Sequence, residues 1–162
     1  MGFLPANEVV AAHARVGDPI PFCGTGEVIL FDFFILAGLG LPISTFLRGL
    51  LYRYGVEIYN LNPNSILHIS VFVHLCEAYL GIAPHFDLFK TFFYMKTQPR
   101  SRKDRVVGGC GLQTRQNTSQ AYIECKLKSS NKDWQKEWFY SSNPPQLTLP
   151  LRAPREAAQI QA

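Results

Sequence analysis

Asn62–Gly81 reads NPNSILHISVFVHLCEAYLG, and the spacing of its apolar residues decides the fold. Ile66, Ile69, Val73, Cys76 and Leu80 recur at steps of 3, 4, 3 and 4, the period of one helical face. Phe72, Leu75 and Tyr79 make a second stripe beside the first. Two stripes imply a helix covered on most sides, so residues 63–80 are expected at the centre of the core. Asn62 suits the N-cap, Pro63 suits a first turn that has no use for its N–H, and Gly81 suits the left-handed stop.

Working outward toward the N-terminus, Ser44 or Thr45 can cap a helix whose inner face is Phe46, Leu47, Leu50, Leu51 and Tyr54, with Gly55 ending it. Before it, Val28–Phe31 could be a short strand, with Asp32 capping a helix through Leu36 that Gly38 stops. Periodicity alone does not separate strand from helix in so short an apolar run. Residues 1–26 hold Pro5, Gly17, Pro19, Pro21, Gly24 and Gly26 and read as a loose lead-in, with modest helical character only from Glu8 to Arg15.

Toward the C-terminus, Pro84 opens a fourth helix with Phe86, Phe89 and Phe93 inward, running out at Gln98-Pro99. The five Phe or Tyr residues from Phe86 to Tyr94 exceed what one core face hides. After the glycines around Cys110, Tyr122 to Leu127 alternate polar and apolar as a half-buried strand does, with Val106-Val107 and Leu112 as candidate partners. Trp134, Trp138, Phe139 and Tyr140 then form an aromatic close. Exposed, it would be an interaction patch; burial over the sheet is favoured, because small domains need such anchors. The expected fold class is α+β and mainly helical: about four helices around a central buried helix, with a small antiparallel sheet. The expected organisation is a lead-in at 1–26, one domain at 27–146, and a disordered Pro-containing tail at 147–162.

Composition agrees with a single folded domain. The chain has 162 residues, 47% hydrophobic and only 17% charged, which argues against disorder. Four cysteines without C-x-x-C spacing are too few for a disulfide scaffold. Met1–Val10 lacks the basic and apolar regions of a secretory signal, so an intracellular setting, nuclear or cytoplasmic, and reduced cysteines are expected. Val28–Leu47 carries one charge, Asp32, but Gly38, Gly40 and Pro42 break it, so no membrane association is expected.

Charge is unevenly spread. Residues 1–89 hold three Lys or Arg against seven Asp or Glu, a net −4, while residues 90–162 hold thirteen against five, a net +8. The densest run includes Lys96, Arg100, Arg102, Lys103 and Arg105, a candidate nucleic-acid contact through phosphate. A solvated linker is the favoured reading of that run, because no aromatic residue lies within Gln98–Arg105 to stack a base.

Catalytic chemistry finds no constellation in the sequence. His68 and His74 are six apart and point away from each other on a helix. Cys76 and His68 are separated by about 12 Å along the axis, too far for direct proton transfer. Cys110 and Cys125 have no neighbouring ligand, the zinc knuckle of three Cys and one His is absent, and Gly108–Gly111 lacks a following Lys-Ser/Thr. No paired Asp or Asp-Thr/Ser-Gly motif is present. The expectation is a non-enzyme with no metal, no cofactor and no small-molecule substrate.

Several short motifs carry a family resemblance. They are Gly38-Leu-Gly-Leu-Pro42, Phe46-Leu-Arg-Gly-Leu-Leu51, Tyr54-Gly55, Leu61-Asn-Pro-Asn64, Phe72 and His74-Leu-Cys-Glu-Ala78. They continue through Leu80-Gly-Ile-Ala-Pro-His-Phe86, Val107-Gly-Gly109, Asn131-Lys132, Trp134, Glu137-Trp-Phe-Tyr140 and Asn143-Pro-Pro145. In this order the chain resembles the gypsy-type transposon domain of plant retrotransposon-derived proteins, over about residues 27 to 146. It departs at Phe89, where family members often carry Trp, and at Ser141-Ser142. The resemblance implies no established activity and no agreed site residues. It implies instead a gag-like interaction module, working by self-association or through protein partners, here as a truncated element copy. The alternatives are nucleic-acid binding through 96–105 and an inactive relic.

Overall fold

The structure, a computed structural model, describes residues 11–12, 27–97, 107–117, 122–123, 127 and 131–142. Its elements in chain order are β1 (Ala11–Ala12), β2 (Glu27–Phe31), α1 (Asp32–Leu36), α2 (Thr45–Tyr54), α3 (Pro63–His74), α4 (Phe86–Phe92), β3 (Phe93–Thr97), β4 (Cys110–Thr114) and β5 (Trp138–Ser142). A 3-10 turn covers Ile58–Asn60, and a π-helical turn, Leu75–Leu80, continues α3. The α+β class is borne out. Among the described residues no helix is long and apolar enough to cross a membrane; Val28–Leu47 is divided among β2, α1 and the start of α2.

Two antiparallel sheets frame the helices. In the first, β5 lies between β1 and β2, with Ile29 opposite Tyr140 and Ala12 on the other side of Tyr140. Val28, Ile29, Leu30 and Phe31 are all buried, so both faces of β2 are covered. This explains its unbroken apolar run, since alternation marks a strand with one wet face. Ala11–Ala12 is strand where the sequence suggested helical character, and it ties the lead-in to β5. The aromatic close is thus largely a strand, which the periodicity of so short a segment does not reveal.

The second sheet is the β3–β4 hairpin, with Tyr94 opposite Gln113 and Met95 opposite Leu112. Here the expected course of the fourth helix is corrected. It ends at Phe92, with Phe93 already in extended backbone (φ −125°, ψ 154°). Phe86, Phe89 and Phe93 fit a helical face, but a strand partner thirteen residues beyond Thr97 captures the chain first. The strand expected at Tyr122–Leu127 is not found at Tyr122, Ile123 or Leu127; the intervening residues lie outside the described part. So do Val106 and residues 147–162.

The capping expectations hold. Ser44 Oγ accepts from Leu47 N at 3.2 Å, Asn62 Oδ1 accepts from Ser65 N at 2.8 Å, and Gly55 and Gly81 adopt the left-handed conformation. Asp32 is an exception: it occupies the first turn of α1, and the cap position belongs to Phe31. An aromatic spine joins the elements, running Phe46–Phe72 (5.4 Å), Phe72–Phe89 (5.1 Å) and Phe89–Phe93 (4.8 Å) between ring centroids.

The helix 63–80 is interior only in part. Pro63, Ser65, Ile66, His68, Ile69 and Phe72 are buried, but Tyr79 is 76% and Leu80 55% exposed. The π turn accounts for the departure. Bonding from i to i+5 turns the chain less per residue, so a stripe laid out at 3.6 drifts off the core within two turns.

Candidate nucleic-acid interface

On the β3–β4 hairpin, alternation sorts residues between two faces. Phe93 and Leu112 are buried, while Tyr94, Lys96 and Gln113 are exposed. The Tyr94 hydroxyl donates to Gln113 Oε1 at 2.5 Å, a cross-strand bond that holds the ring on the outer face. Arg115 follows β4 directly. Its backbone N–H reaches Phe92 O at 2.8 Å and its Nε donates to Lys90 O at 2.7 Å. These bonds hold its guanidinium 5.8 Å from the centroid of the Tyr94 ring.

Further charges come from the neighbouring helices. Lys90 pairs with Asp87 at 2.8 Å, both more than half exposed, and this pair holds the Asp87 carboxyl below its ordinary value. Such an exposed pair contributes little to stability. Arg53 lies over the Phe86 ring at 4.4 Å. Tyr94, Arg115, Gln116 and Asn117 line an open depression of about 460 Å³.

Of the basic residues singled out in the sequence, Lys96 lies exposed on β3. Arg100, Arg102, Lys103 and Arg105 fall in the segment joining β3 to β4, outside the described residues. Tyr94, Arg115, Gln116 and Asn117 were missed. Their signal was the surplus of aromatics in Phe86–Tyr94, which the helix assignment left without a direction.

The aromatic close packs against the core, with Tyr140 inside it. Trp134 packs on Phe31 and Phe34 at 4.7 and 5.6 Å, Tyr140 is 1% exposed, and Trp138 and Phe139 are half-buried. His68 is buried against Phe93, its Nδ1 without a hydrogen-bond partner among the described residues, and burial lowers its pKa. His74 is exposed on the same helix. Burial raises the thiols of Cys76 and Cys110, Cys76 also feeling the charge of Glu77. Among the described residues no three His, Cys, Asp or Glu side chains group as a metal site would need.

Residues 28–97 match the family model described as "Putative gypsy type transposon". The resemblance read from the motifs is borne out over that segment. No curated protein and no solved structure matches the chain.

Proposed function

We propose, from the gypsy-type match over residues 28–97 and the outer face of the β3–β4 hairpin, that this is a non-catalytic, gag-like module that binds nucleic acid. One observation carries the reading. Lys96 stands two residues from Tyr94 on β3, and Arg115 after β4 lies over that exposed tyrosine, on the half of the chain with net charge +8. Cations placed this way release counterions from a phosphate backbone, and affinity then falls steeply with salt. The burial of His68, Cys76 and Cys110 supports the non-catalytic part.

The test is fluorescence anisotropy of the full chain with labelled oligonucleotides at 50 and 200 mM salt. Binding should weaken with salt, and Lys96→Ala should reduce the log–log salt slope by about 1. Replacing Arg100, Arg102 and Lys103 together by Ala should reduce it further. Binding that ignores both salt and these changes, or no binding, rejects the reading.

A second reading, self-association, draws on a different surface. Tyr79, Leu80 and Ile82 are 76%, 55% and 41% exposed where the π turn leaves the core. A second copy could cover them. Light scattering of the full chain should then give a mass above the monomer that Leu80→Asp lowers. A strict monomer at high concentration ends this reading.

A further inference from the structure

We infer that the packing of the β3–β4 hairpin on α3 is a proton-sensitive joint: a proton taken up by His68 frees the hairpin from α3 while the β1–β5–β2 sheet keeps its ladder. This holds whatever the outer face of the hairpin binds.

Ser65 and His68 stand one turn apart on one face of α3, and both are buried. Ser65 Oγ accepts the Leu112 N–H at 2.8 Å, and just before the helix the Asn62 N–H reaches Cys110 O at 3.3 Å. His68 lies in the same seam, its ring 5.0 Å from that of Phe93, the first residue of β3. The serine is bonded on both sides, to Asn62 and to Leu112. Nδ1 of the histidine, 4% exposed, has no hydrogen-bond partner among the described residues. A neutral imidazole tolerates this at modest cost. An imidazolium buried against a phenylalanine costs far more, and reaching water relieves it.

No counter-ion offsets that cost among the described residues. Asp32 of α1, Glu77 of the π turn, Asp87 and Lys90 of α4 and Lys96 of β3 are all exposed, and Arg48 of α2 is half-buried. None of them shifts His68, whose pKa is lowered by burial. From β4 the seam receives Cys110, whose thiol burial holds neutral, and Tyr122 packs on the Phe93 ring at 5.0 Å. The hairpin shares no strand with the β1–β5–β2 sheet, so it can part from α3 as a unit of its own. Parting exposes Phe93 and Leu112, which keeps it rare at neutral pH. The open form takes its proton at the ordinary 6.5 and the closed form only at a lower pH, so opening gains as the pH falls from 6.5 toward that lower value.

The test is hydrogen exchange of the full chain followed by NMR at pH 7.5 and 5.5, with protection taken relative to an unfolded chain at the same pH. The Leu112 amide reports the joint, and the amides of β5, the central strand, report the first sheet. Leu112 should be less protected than β5 at both pH values and, unlike β5, should respond little to about 1 M urea, the mark of a partial opening. Its protection should fall severalfold from pH 7.5 to 5.5, with about tenfold as the ceiling for an imidazole that titrates at 6.5 once free. His68→Gln cannot take up the proton and should hold the fall within about twofold. His68→Leu serves if the Gln variant does not fold. If Leu112 is as protected and as urea-sensitive as β5, the hairpin opens only with the whole fold and the joint is rejected. An equal fall in the variant, or a native His68 imidazole titrating at 6.5 or above, rejects it as well, and neither result touches the nucleic-acid reading.

Discussion

Ser65 and Leu112 lie 47 residues apart in sequence, and the Ser65 Oγ accepts the Leu112 backbone N–H at 2.8 Å. The same hydroxyl donates to Asn62 Oδ1, also at 2.8 Å. The N-cap of α3 and the second strand of the hairpin are therefore held by one buried side chain. The candidate interface sits on the opposite face of that hairpin, so the position of Tyr94 depends on this joint.

Ser65→Ala strands the Leu112 N–H in a buried site. An unsatisfied buried donor costs about 1–3 kcal/mol, and urea unfolding should show a loss in that range. A change below about 0.5 kcal/mol would mean the joint contributes nothing.

Gly108 and Gly49 should respond oppositely to alanine. Gly108 has φ +69°, and a Cβ there would lie 2.5 Å from Trp134 Cζ2. Gly108→Ala should cost roughly 1–3 kcal/mol and disturb the near-ultraviolet signal of Trp134. Gly49, exposed within α2 with nothing within 4 Å of a Cβ, should gain about 0.5–1 kcal/mol as Ala. Thermal midpoints of the two variants check the sign of each.

Burial lowers the pKa of His68 below the ordinary 6.5, so the native state resists the proton that the unfolded chain accepts. Stability on this account is complete above pH 6.5 and falls as the pH drops from there toward the lower native value. His68→Leu should flatten the decline in urea midpoint between pH 7 and 5.5. An equally steep decline in the variant would assign it to other groups.

Cys76 is fully buried and Cys110 8% exposed, both with raised thiol pKa values. Iodoacetamide at pH 7.5 should leave both unmodified in the native chain and label both in urea, as read by peptide mass. Native labelling of either would open the question of a reactive cleft and count against the non-catalytic reading.

Much of the helical frame was legible because its signals are local. Asn62, Ser44, Gly55 and Gly81 act through bonds or backbone angles within a few residues, and the inner face of α2 follows from 3.6-residue spacing alone. The strands were harder. β5 and β3 are each five residues long, and each is a strand only because a distant segment supplies its hydrogen bonds.

The candidate site divides along the same line. By itself the sequence determined that a basic half exists, that Lys96 belongs to it, and that the five aromatics of Phe86–Tyr94 exceed what one core face hides. Tertiary structure alone decided that the surplus ring is Tyr94 and that Arg115, Gln116 and Asn117 stand beside it. A side chain in a strand points in or out according to its register, and the register of β3 is set by pairing with β4 across a long connection. No spacing within Phe86–Thr97 contains that partner, so direction came only with the fold.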